Sequence, residues 1–171
     1  MAETKFLLIY LNDHLAGSIA GEELAKRAAS SNEGTPLGDY LDTFISEINE
    51  ERGLVERTIE ELGGKPDWLK GMAAWVAEKA GRLKLNGQIT GYSDLSRLVE
   101  LEGLVLGVTG KLGMYRVLHD IRNVHPAVAT VEWSALIERA EGQRARLEEF
   151  RLGAARIAFT EVPVSAAFGS S

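Results

Sequence analysis

The feature that most constrains this chain is a repeated seam. In four stretches of about 25 to 29 residues, core-type residues recur at alternating spacings of three and four, the pattern of helices packed lengthwise against one another. In the first, residues 5–29, the seam is Leu8, Leu11, Leu15, Ser18, Glu22, Ala25 and Ala29. In the second, 36–62, it is Leu37, Leu41, Phe44, Ile48, Glu51, Val55, Thr58 and Leu62. In the last, 131–159, it is Trp133, Leu136, Ala140, Gln143, Leu147, Phe150, Ala154 and Ile157. The third stretch, 93–121, opens on an N-cap serine, Ser93, and spreads Leu95, Leu98, Val105, Leu112 and Met114 or Tyr115 over much of its circumference. A helix apolar on most sides is expected inside a bundle. Its Gly103, Gly107 and Gly110 each cost about 1 kcal/mol of helix propensity relative to alanine. They predict close approach of a neighbouring backbone.

The breaks between these stretches set the topology. Ser30 to Pro36 is short, and Thr35-Pro36 is a helix restart, so the first two helices are expected as antiparallel neighbours. Gly63-Gly64 ends the second. About 30 residues then precede the third helix, with a shorter helical stripe over 67–82 that carries Trp68 and Trp75. A helix of ~27 residues is ~40 Å long, and a connector of this size suits a crossover to its far end. The third helix is therefore expected to run parallel to the second. Residues 1–160 are read as one domain, an all-α four-helix bundle of two antiparallel hairpins with a helical crossover. Residues 161–171 are read as a flexible tail.

Composition narrows the function classes. The 171 residues carry a formal net charge of −6 and no cysteine. The acidic balance argues against nucleic-acid binding, and the missing thiols exclude disulfides and thiolate metal sites. The apolar run from Phe6 to Leu11 is too short for a signal peptide, and no stretch reaches the ~18 to 20 apolar residues of a membrane span. The expectation is a cytoplasmic protein.

Glu22, Glu51, Glu102 and Gln143 interrupt the seams near the middle of each helix, and carboxylates from facing helices are the material of two-metal sites. The segments GLVERTIEELGG, DWLKGMAAWVAEKA and LVELEGLVLGVTGKL resemble the ferritin-like superfamily, in particular small bacterial stress-associated members with a helical crossover. That resemblance implies a ferritin-like bundle. Its metal-binding members use a glutamate on the first helix and a Glu-x-x-His on the second, with the same pair repeated on the third and fourth. Glu22, Glu51 and Glu102 match the glutamates, with Gln143 or Glu141 in the fourth position. The histidines do not match: Leu54 and Val105 stand in their places, and Arg146 or Arg144 follows in the fourth helix.

Two readings follow. In the first, the polar layer of Glu22, Glu51, Glu102 and Gln143 is structural, with Arg144 and Lys111 as available cations. The protein then binds no cofactor and works by self-association or partner binding, a homodimer being favoured, with Trp68 and Trp75 as interface candidates. In the second, Glu22, Glu51, Glu102 and Glu141 hold a di-iron or di-manganese centre for oxidation or storage.

Overall fold

The computed structural model describes residues 2–67 and 92–160, and all the regular structure among them is helical. The helices are α1 (Ala2–Ser31), α2 (Pro36–Glu61), α3 (Asp94–Ile121), the single turn α4 (Pro126–Ala129) and α5 (Trp133–Phe159). Trp68, Trp75, the crossover stripe and the tail lie outside the described residues. No described helix is long and apolar enough to cross a membrane.

Local chemistry accounts for the ends. Thr35 caps α2 through its side chain, which accepts from the Gly38 amide at 3.2 Å, and Pro36 occupies the first helical position. Gly34 precedes them with φ +72°, a turn that glycine adopts without penalty. At the other end, the Gly63 amide reaches the Glu60 carbonyl and the Gly64 amide the Ile59 carbonyl, both at 2.9 Å. With Gly63 at φ +78°, this is a Schellman stop. Ser93 caps α3 by accepting from the Ser96 amide at 3.1 Å. The expected start of the last helix at Val131 moves to Trp133, whose indole donates to the Val128 carbonyl at 2.7 Å and ties α4 to α5.

The four long helices share one apolar core. Arg27 near the end of α1 meets Glu100 near the start of α3, so these two helices run antiparallel. Tyr40 lies against Phe150, and Thr130 donates to Glu61, so α2 and α5 are also antiparallel. Arg116 with Glu141 and Arg151 with Glu102 give the same relation for α3 and α5. The parallel course of α2 and α3 follows from these pairings. Every seam residue of α5 is buried, as is every one of α2 up to Thr58.

The phase of α3 differs from the expectation. Its buried residues are Leu98, Glu100, Leu101, Leu104, Val108, Leu112, Met114, Tyr115 and Leu118, whereas Leu95 and Leu106 are exposed. The helix is apolar nearly all round, so its periodicity does not by itself say which side turns inward.

Candidate functional site

The polar residues that interrupt the seams are positioned by their helices to meet across helix boundaries. Glu51, only 2% exposed, lies at the centre of one group. Its Oε2 accepts from Lys111 Nζ at 2.5 Å and from the Tyr115 hydroxyl at 3.1 Å. Its Oε1 accepts from Gln143 Nε2 at 3.2 Å. Lys111 also donates to Gln143 Oε1 at 2.6 Å, and Gln143 to Glu47 at 2.6 Å. Three helices thus complete one buried network. Burial pushes the Lys111 amine below its ordinary pKa against the pull of Glu51, and pushes the Tyr115 hydroxyl well up.

Two further groups join other helix pairs. Glu22 of α1 is gripped by Arg52 of α2 and by Lys26 at 2.8 Å. Burial opposes its ionisation, but the hydrogen bonds from Lys26 and Arg52 together outweigh that and hold its pKa below the usual range. Glu100 of α3 receives Arg27 at 2.6 Å and the Tyr92 hydroxyl at 3.0 Å. The Tyr92 hydroxyl is raised to about 12, chiefly by burial. Asn32 extends this group, donating to Tyr92 at 2.9 Å and accepting from Arg97 at 2.7 Å.

Glu22, Glu51 and Gln143 are therefore inward, as the seams predict. Glu102 is not: it is exposed and paired with Arg151 at 3.3 Å. Arg144 is exposed, and the cation that holds Glu51 is Lys111. Glu141 is also exposed, against Arg116 at 2.6 Å. The buried carboxylate of α3 is Glu100, which the sequence reading missed. The usable signal was a different three-four seam, Leu101, Leu104, Val108, Lys111, Tyr115 and Leu118, in which Lys111 is the interruption.

These donors do not fit a two-metal centre. Both oxygens of Glu22 and of Glu51 are already engaged by donors, and Glu102 and Glu141 face outward. Among the described residues, no group of three or more His, Cys, Asp or Glu side chains could hold a metal ion. The arrangement instead resembles a set of register keys, since removing the cations strands a buried carboxylate.

Above the Glu51 network, a cavity of about 310 Å³ opens between α1 and α3. Phe44, Ile48, Glu51 and Tyr115 are buried and form its floor. Gly17 and Gly21 of α1 and Gly107 and Gly110 of α3 line it as well. Among the described residues, a methyl group built on any of these four glycines meets nothing within 4 Å. The expected backbone approach is thus absent at Gly107 and Gly110; at Gly103 the near neighbour is the Leu24 side chain, 2.9 Å from a built Cβ. Gly17 and Gly21 are half-buried, and Gly107 and Gly110 are exposed. His14, a wall residue with its ring edge-on to Tyr10 at 4.6 Å, has its pKa lowered by burial despite the nearby Asp13.

No protein-family model, curated protein or solved structure matches this chain.

Proposed function

We propose that this protein is a non-catalytic, ferritin-like four-helix bundle that works by binding, and that its ligand is a small apolar molecule held between α1 and α3. The supporting observation is the glycine-lined cavity. Four glycines in helix interiors forgo about 1 kcal/mol each relative to alanine, and among the described residues no packing contact requires them. What they leave is a concave, mainly apolar space with a few convergent polar groups, the usual form of a small-molecule site. The polar network beneath it is the rigid floor.

Titration with the fluorescent probe N-phenyl-1-naphthylamine tests this. The wild-type protein should bind it saturably at about one per chain. Gly21→Leu/Gly107→Leu fills the space with good helix formers and should weaken binding at least tenfold while retaining or raising stability. Gly142→Leu, on exposed α5 surface, should leave binding unchanged. Saturable binding that survives the Gly21/Gly107 pair would overturn the proposal.

A further inference from the structure

We infer that the ligand is a neutral apolar alcohol, about ten carbons or two rings in size, and that the cavity discriminates against carboxylates and ammonium ions of the same bulk. This rests on the cavity being the binding site. Size comes from the volume. A dry apolar cavity of roughly 150 Å³ takes one benzene, and this one is about 310 Å³.

Neutrality comes from the charges. Each buried or half-buried charge on the wall already has its opposite: Glu51 holds Lys111, and Arg52 holds Glu22. Asp13 stands exposed at the rim. A carboxylate head would meet cations, Lys111 and Arg52, that are already paired, and pass an acidic rim. An ammonium head would have to compete with Lys111 for Glu51. Either would surrender its hydration without gaining a counter-ion.

The hydroxyl comes from the donor and acceptor count. An ammonium has three N–H donors. Among the described residues Lys111 has two acceptors, Glu51 and Gln143, and its ammonium also lies 5.6 Å from the ring centre of Phe44. The Tyr115 hydroxyl spends its proton on Glu51, which leaves its oxygen able to accept. Lys111, Tyr115, Glu51 and Phe44 all line the cavity. A ligand hydroxyl can accept from Lys111 and donate to Tyr115 at once; a hydrocarbon can do neither.

The test is displacement of N-phenyl-1-naphthylamine at pH 7 by 1-decanol, decanoate and decylamine, each below its aggregation limit. Decanol should displace the probe at concentrations at least tenfold below the other two. Tyr115→Phe should weaken decanol about tenfold, the scale of one buried hydrogen bond. Probe binding with decanoate or decylamine as effective as decanol would overturn this inference and leave the cavity reading standing. Absence of saturable probe binding would overturn both. The comparison on wild-type protein decides the matter even if Tyr115→Phe fails to fold.

Discussion

Replacing Lys111 by methionine isolates the central charge pair. Methionine keeps most of the stem's bulk and removes the ammonium, so Glu51, 2% exposed, keeps the Tyr115 hydroxyl and the Gln143 amide as donors, with the Arg139 guanidinium no nearer than 4.0 Å. The stranded carboxylate has two options, to stay charged in an apolar surrounding or to take up a proton. The second sets a ceiling on the loss. Neutralising an ordinary glutamic acid, with a pKa near 4.3, costs about 3.7 kcal/mol at pH 7 and about 1 kcal/mol at pH 5. Lys111→Met should therefore lose roughly 3 to 4 kcal/mol at pH 7, in the range for breaking a buried pair. For a chain of this size that lowers Tm by roughly 7 to 14 °C. At pH 5 most of the loss should vanish. Adding Glu51→Gln should bring the double variant within about 1.5 kcal/mol of wild type at both pH values, because no charge is then left unpaired. Urea unfolding at the two pH values, read by circular dichroism, gives all the quantities. An equal loss at pH 7 and pH 5, or a double variant no better than Lys111→Met, would refute the account of Glu51 as a carboxylate held by its cation.

Other perturbations probe separate features. A Cβ on Gly38 would collide with the Asn32 carbonyl oxygen and lie 3.0 Å from its carbon, both backbone atoms, so Gly38→Ala should destabilise by about 2 to 3 kcal/mol in urea unfolding; a neutral result would show that the α1–α2 turn can shift. His14 has its folded pKa depressed, so the unfolded chain takes the proton first. Its contribution is present above about pH 6.5 and is lost as pH falls below that value. His14→Gln should accordingly flatten stability against pH in the window just below 6.5, and identical slopes for the two proteins would contradict the placement of His14 in a dry wall.

How much of this was legible in the sequence depended on how one-sided each helix is. In α2 and α5, polar residues surround a single apolar stripe, so the seam from Leu37 to Thr58 and that from Trp133 to Ile157 identify the buried face, Glu51 and Gln143 included. In α3 there is no polar back to exclude. Leu95 and Leu106 compete with Leu98, Leu101, Leu104 and Val108 for the interior, and only neighbouring helices decide among them. That is why Glu102 was expected where Glu100 lies, two residues and about half a turn away. The partner of Glu51 could be narrowed to Lys111 or Arg144 but not chosen, because the choice depends on the rotation of both helices. The glycines were visible; their meaning was not. A small residue marks either a close contact or a space, and spacing alone does not distinguish them.

The polar groups also bear on how the chain comes together. Arg27 and Glu100 are 73 residues apart, Glu51 and Lys111 are 60, and Glu51 and Gln143 are 92. None of these bonds can form within one helix, and two of the three join long helices that are not neighbours in the sequence. A half-assembled chain that has buried Glu51 against α2's neighbours without α3 in place holds a bare carboxylate in a drying interior. Such states are raised in free energy relative to both ends of the reaction. The network thereby makes each helix's docking conditional on the others, and assembly becomes all-or-none.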